Sequence, residues 1–192
     1  MARPRRIDRA AVLRASLAIA DEAGLDAVTM QAVADRLGVT PMALYRHVDS
    51  KGDLLDGVVE SMLDEIPVPP ADLPWDQQLA GMGRGLREVA RRHPAVFPLL
   101  LQLPAKTPRA RSRREQVYAA LREAGVAPQH IERVERIVST VALGYAASEV
   151  SGRFGGHSSR TIDGDHRALE TFVRAGLQPF ITDQPDQPAT PD

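Results

Sequence analysis

The 192-residue chain carries 24 Lys/Arg against 25 Asp/Glu, 43% hydrophobic and 4% aromatic residues, and no cysteine, which excludes disulfides, zinc–thiolate sites and thiol catalysis. It is long enough for a real core in one large or two small domains, and few aromatics beside plentiful Ala, Leu, Val and Arg favour an all-α protein. No apolar run approaches the roughly 20 residues of a membrane span, and the basic residues 1–6 lead into Ile7-Asp8-Arg9 rather than an apolar signal segment, so a soluble, cytoplasmic protein is expected.

A first helix is predicted from Asp8 to Ala23, with Val12, Leu13, Leu17, Ile19 and Ala20 on its apolar side and Gly24 as its stop. Thr29 is a good N-cap for a second, in which Val33, Ala34 and Leu37 recur at helical spacing. Gly38 suits the left-handed position that ends it. Thr40 is expected to cap a third helix with Pro41 at its first position. Leu44 and Val48 then face inward while Met42, Tyr45 and Arg46 face out, beside Ala43 and His47. Two short helices around a glycine turn, with an outward methionine and tyrosine, suit a helix-turn-helix laid in a DNA groove.

Ser50-Lys51-Gly52-Asp53 reads as a capping-box-like start to a helix over 51–66, broken by Pro67-Val68-Pro69-Pro70. Trp75 to Arg92 reads as an amphipathic helix, weakened by Gly81, Gly83 and Gly85, which imply mobility or close packing. After His93-Pro94 comes the apolar stretch Val96 to Leu103, then a helix from about Arg109 to Ala124 closed by Gly125. Pro128 opens the longest helix, to about Val150. Residues 151–164 are expected to be a polar loop, 165–181 a last helix, and 183–192 a disordered tail. The expected division is a DNA-binding unit over 1–50, a connecting helix over 51–66 and a helical bundle over 67–182.

The run from Gly38 to Val48, followed by Ser50-Lys51 and Leu54-Leu55, resembles the DNA-binding domain of the tetracycline-repressor (TetR) family over roughly residues 8–60. The segment from Trp75 to Leu103 and the helix after Pro128 resemble the ligand-binding half of that family. The resemblance implies a homodimeric transcriptional repressor on a palindromic double-stranded DNA operator, released by a small apolar ligand. The tetracycline-binding members use a ligand-borne magnesium. Nothing in this sequence shows that the ligands of such a site are retained, and no cofactor is assigned.

N-terminal residues of the second helix of such a motif reach base edges, which nominates Thr40, Pro41, Met42 and Ala43, with Gln31 from the preceding helix. The resemblance supports Gln31, Pro41, Met42 and Ala43. Thr29, Tyr45, His47 and Lys51 are the expected phosphate contacts. Lys51 is one of two lysines in the chain and opens a helix, where its cation is disfavoured unless a phosphate sits there. Residues 1–51 hold eight Lys/Arg against six Asp/Glu, a net of +2, and the remainder 16 against 19, a net of −3, so the positive end faces phosphate. The basic run Arg109-Ala110-Arg111-Ser112-Arg113-Arg114 reads as a solvated helix start.

Other chemistry finds little support. His157, Asp163, Asp165 and His166 lack a metal-site spacing, and no phosphate-binding loop or nucleophile elbow is present. A helix-turn-helix used for protein contacts, without an effector pocket, is the alternative class. The resemblance implies a small-molecule pocket in the second half. Met82, Leu86, Phe97, Leu100, Leu101, Leu121 and Val141 are its expected apolar wall, and His93, Gln116, Tyr118 and Tyr145 its polar groups. Dimerisation is expected through the two C-terminal helices.

Overall fold

The computed structural model describes residues 7–102 and 108–181, and the expected tail over 183–192 lies outside them. Nine α-helices are present among the described residues: α1 Arg9–Ala23, α2 Met30–Leu37, α3 Pro41–Leu44, α4 Lys51–Glu65, α5 Trp75–Arg92, α6 Leu99–Gln102, α7 Pro108–Glu123, α8 Ile131–Val150 and α9 Ser159–Gly176. The protein is all-α, and its one extended pairing among the described residues is an isolated bridge between Val126 and Ile181. No described helix is long and apolar enough to cross a membrane.

Local chemistry sets most helix ends. Asp8 caps α1 through a 2.7 Å bond from the Ala11 amide, and Ser50 caps α4 through a 3.1 Å bond from Asp53. Gly38 ends α2 at φ 69°, where a side chain would be strained. The capping box at Ser50 is only half formed, because the Asp53 carboxylate accepts from the Asp49 amide at 3.0 Å and is also held by Arg9. Two other boundaries differ from the sequence expectation. The helix after Thr40 has just one turn, and the chain runs on from Tyr45 as a turn. The last helix begins at Ser159 rather than 165, because Ser158 caps it by accepting from Thr161, and it ends at Gly176 before a 3₁₀ turn.

A first core joins α1, α2 and α4 to Leu44 and Val48, then continues without a break into Val89, Ala90, Val96, Phe97 and Ala146. A second, smaller core gathers Leu121, Ala124, Val126, Ile131, Val134 and Leu177. The end of α4 and the Pro67–Pro70 segment lie close against α5. A methyl group at Gly85 would stand 2.7 Å from the Pro67 ring, and one at Gly81 2.9 Å from Pro69. Of the two meanings those glycines carried, close packing is the one seen.

Candidate nucleic-acid interface and effector cavity

Val33, Ala34, Leu44 and Val48 are all buried and hold α2 and α3 against α1. That leaves Met42 74% and Tyr45 48% exposed on the outer side. Gln31, Thr40 and Arg46 are exposed beside them, with Pro41, Ala43 and His47 half-buried. The Gln31 amide donates to Asp35 at 2.8 Å, one turn along α2, so it must turn away to meet a base. Thr29 Oγ1 accepts from the Ala32 amide at 3.1 Å, which leaves its hydroxyl proton for an outside acceptor. The Thr40 side chain makes no capping bond, contrary to expectation, and the Ala43 amide donates instead to the Thr40 carbonyl at 2.9 Å. Lys51 is exposed at the first position of α4.

Arg9, not singled out in the sequence, ties this unit together. Its guanidinium donates to both Asp53 oxygens at 2.9 and 2.7 Å and to the His47 carbonyl at 2.6 Å. Those bonds hold the Asp53 carboxyl below its ordinary value.

Between the two cores lies a cavity of about 330 Å³. Val59, Leu63 and Ile66 of α4 and its end form one side, Met82 and Leu86 of α5 another, and Leu100, Gln116, Val117, Val138 and Leu143 the rest. Four of the expected wall residues, Met82, Leu86, Leu100 and Gln116, line it. The other seven lie elsewhere. Phe97 and Leu121 are fully buried, one in each core. Leu101 is 51% exposed on the outer side of α6. Tyr118 packs on the second core with the Arg122 guanidinium over its ring. Val141 lines a second, larger space of about 570 Å³ between α5, α8 and α9. The Tyr145 hydroxyl donates to the Ile162 carbonyl at 2.9 Å, with its ring near Phe154 and His166. His93 is buried at the α1–α4–α5 junction, 2.8 Å from Asp21 and 3.1 Å from Glu65. It links the end of α5 to the DNA-reading unit.

A network of charged groups that the sequence did not bring together lies in this half. Arg87 and Glu149 pair almost out of solvent at 2.5 Å, joined by Arg91 and by Asp163. Burial alone would raise Glu149, but the two guanidinium groups hold it below the ordinary carboxylate range. Asp163 is thereby engaged in packing α9, His166 faces Glu170 and the Tyr145 ring, and the described residues contain no group of three or more His, Cys, Asp or Glu side chains placed to hold a metal ion. The basic run at the start of α7 is not wholly solvated. Arg113 and Arg114 turn toward the cavity wall. A run of arginines gives no sign of which members turn inward, so only the fold could locate them.

Known proteins agree with this arrangement. Residues 12–58 match the family of bacterial regulatory proteins of the tetR type, and residues 79–175 match the tetracyclin repressor-like C-terminal domain. The chain is 30% identical to the HTH-type transcriptional repressor DrrR1 of Streptomyces coeruleorubidus, over 94% of this chain and 70% of that one. It is 32% identical to the tetracycline repressor protein class A from transposon 1721 of Escherichia coli, over 91% and 82%. The crystal structure of Mycobacterium smegmatis BioQ superimposes with a TM-score of 0.78 at 27% identity, covering 91% of this chain and 99% of that one. BioQ with its double-stranded DNA operator gives 0.72 at 27% identity, covering 88% and 99%. With a one-turn reader helix, a buried three-helix support and a cavity behind it, the chain belongs to the tetR family of bacterial transcriptional regulators.

Proposed function

We propose that this protein is a ligand-responsive transcriptional repressor that grips a palindromic double-stranded DNA operator as a homodimer and releases it when a small, largely apolar molecule fills the cavity. The observation that carries the reading is the pairing of an exposed Met42 on α3 and Tyr45 just after it with a cavity walled in part by α4. The helix that walls the cavity is also tied to the end of the reader, through Arg9 bridging Asp53 of α4 and the His47 carbonyl. Residues 1–50 form the DNA-binding unit, α4 the connection, and residues 67–182 the effector and dimerisation half. The protein acts in the cytoplasm and catalyses no reaction.

Thr40, Pro41, Met42, Ala43 and Gln31 meet base edges. Gln31 is suited to adenine, and Met42 and Ala43 to the thymine methyl group. Thr29, Tyr45, His47 and Lys51 meet phosphates, Lys51 beside the free amides of the α4 N-terminus. One recognition helix reads few base pairs, so two must stand roughly 34–36 Å apart, or a multiple of that, on a two-fold axis. Ile137 on α8 and Phe172 on α9, 51% and 70% exposed, are surfaces a symmetric four-helix contact would cover. The relatives named as repressors disfavour the alternative of a protein-contact module without a pocket.

Electrophoretic mobility shift with the promoter DNA flanking its own gene tests the reading, alongside light scattering at micromolar concentration. Specific retardation by a dimer is expected. A monomer, or binding that is equal on unrelated DNA, overturns it.

A further inference from the structure

The cavity wall carries Arg113, Arg114 and Arg136 beside Asp56 and Glu135, and of those three arginines only Arg113 has no ion-pair partner among the described residues. Arg113 reaches across from α7 to the last turn of α4. Its Nε and Nη2 donate to the Leu63 carbonyl at 3.2 and 2.8 Å, its Nη2 also to the Ile66 carbonyl, and its Nη1 to Gln116 at 3.3 Å. No carboxylate lies within 4 Å of it among the described residues, whereas its neighbours Arg109 and Arg114 pair with Asp64 and Glu135. Burial pushes the Arg113 guanidinium below the ordinary arginine value, opposed by the more distant Asp64 carboxylate and aided by the neighbouring Arg109 cation. The cavity's own buried carboxylate, Glu135, already accepts from the Ser139 hydroxyl at 2.9 Å and faces Arg114 at 3.8 Å. Asp56, also in the lining, is exposed to solvent, so the partly buried charge left without an ion-pair partner is that of Arg113.

We infer that the effector is an apolar molecule carrying one anionic group, which Arg113 receives together with Gln116. The inference rests on the cavity's being the effector site and adds the ligand's charge class and the trigger. Arg113 stabilises the end of α4 by satisfying carbonyls that a helix C-terminus leaves open. A carboxylate or sulfonate makes a stronger, two-pronged bond to a guanidinium than a carbonyl does. Binding such a group draws Arg113 off Leu63 and Ile66 and loosens the last turn of the helix whose first turn carries Lys51. A neutral ligand of the same shape fills the cavity without taking that cap away.

Two fluorescent probes of one skeleton separate these cases: 8-anilinonaphthalene-1-sulfonate and its uncharged parent, N-phenyl-1-naphthylamine. Arg113→Met is expected to weaken the sulfonate at least tenfold while changing the uncharged probe by less than threefold. Arg113→Lys should restore most of the loss. Retained binding of the uncharged probe serves as the check that the variant cavity is intact. In the unaltered protein, amide hydrogen exchange over 63–66 should quicken with the sulfonate and not with its parent. An Arg113→Met variant that keeps its sulfonate affinity, or equal exchange with both probes, overturns the inference and leaves the cavity reading standing. Binding of both probes that survives Leu86→Trp unchanged overturns the cavity reading itself.

Discussion

Arg9 and Asp53 lie 44 residues apart in sequence, and their side chains meet in a two-pronged pair at 2.9 and 2.7 Å that also captures the His47 carbonyl at 2.6 Å. The first helix, the end of the reader and the start of α4 are joined at that one guanidinium. Arg9→Met should lower stability by about 1 kcal/mol, small because the pair is partly solvated, and should weaken operator binding more than that figure suggests. Acid should mimic it. The folded state holds Asp53 below its ordinary value of 3.8, so the pair's contribution is complete above about pH 4 and is lost as pH falls through the lowered value. Urea melts of the two proteins across pH 2–6 measure the difference.

DNA binding should separate along the roles assigned to each residue. Lys51→Ala is expected to weaken every sequence alike and reduce the salt slope by about one. Met42→Ala or Gln31→Ala should instead change base preference at one position per half-site, by about 1–3 kcal/mol. Competition binding against a panel of single-base operator variants distinguishes them. Equal loss of specificity from all three would reassign the roles.

Filling the cavity should block induction without harming the reader. Leu86, half-buried on the α5 wall, is the residue to enlarge. Leu86→Trp is expected to abolish release by compounds found in a thermal-shift screen and leave operator affinity within threefold. Leu101→Trp should leave both release and operator affinity unchanged, because that side chain is exposed and does not line the cavity. Release assays on both variants with one compound check the contrast.

Gly85→Ala should destabilise the protein despite the better helix propensity of alanine. The added carbon would stand 2.7 Å from the Pro67 ring and 3.3 Å from Ile66, and a proline ring cannot swing aside as a flexible side chain would. A cost of about 1–3 kcal/mol is expected, read as a lowered melting temperature. Gly83→Ala, with open space around it, should show no such clash and gain helix propensity instead.

His166 should make stability fall on mild acidification. Burial holds its imidazole below the ordinary value of 6.5, aided by the nearby Arg87 and opposed by Glu170 and Glu149. The unfolded chain then takes up a proton before the folded one does. Stability is complete above about pH 6.5 and is lost as pH falls toward the lowered value. His166→Phe should flatten that part of the curve relative to the unaltered protein. A parallel pair of curves from chemical denaturation would count against it.

Much of the architecture was legible because it follows from neighbours in sequence. Asp8, Thr29 and Ser50 cap their helices through amides three residues ahead, and Gly24, Gly38 and Gly125 mark turns at positive φ. The outward Met42 and Tyr45 follow from helical spacing around Leu44. The cavity was legible only in part. His93 and Tyr145 carry polar groups suited to a pocket wall, yet each is spent on a partner far along the chain: Asp21 and Glu65 for one, the Ile162 carbonyl for the other.

From sequence alone came the all-α class, the helix-turn-helix and its outward face, since propensity, capping and 3.6-residue periodicity act over a few residues. Which apolar side chains fill a core and which line a space between cores depends on how α4, α5, α7 and α8 pack. Phe97 and Leu86 have the same character in sequence and opposite fates in the fold. The same holds for charge. Only the packing of α7 against the end of α4 decides that, in a run of arginines, Arg113 leaves water for two helix carbonyls and a cavity, because desolvation and long-range partners exist only once the chain is folded.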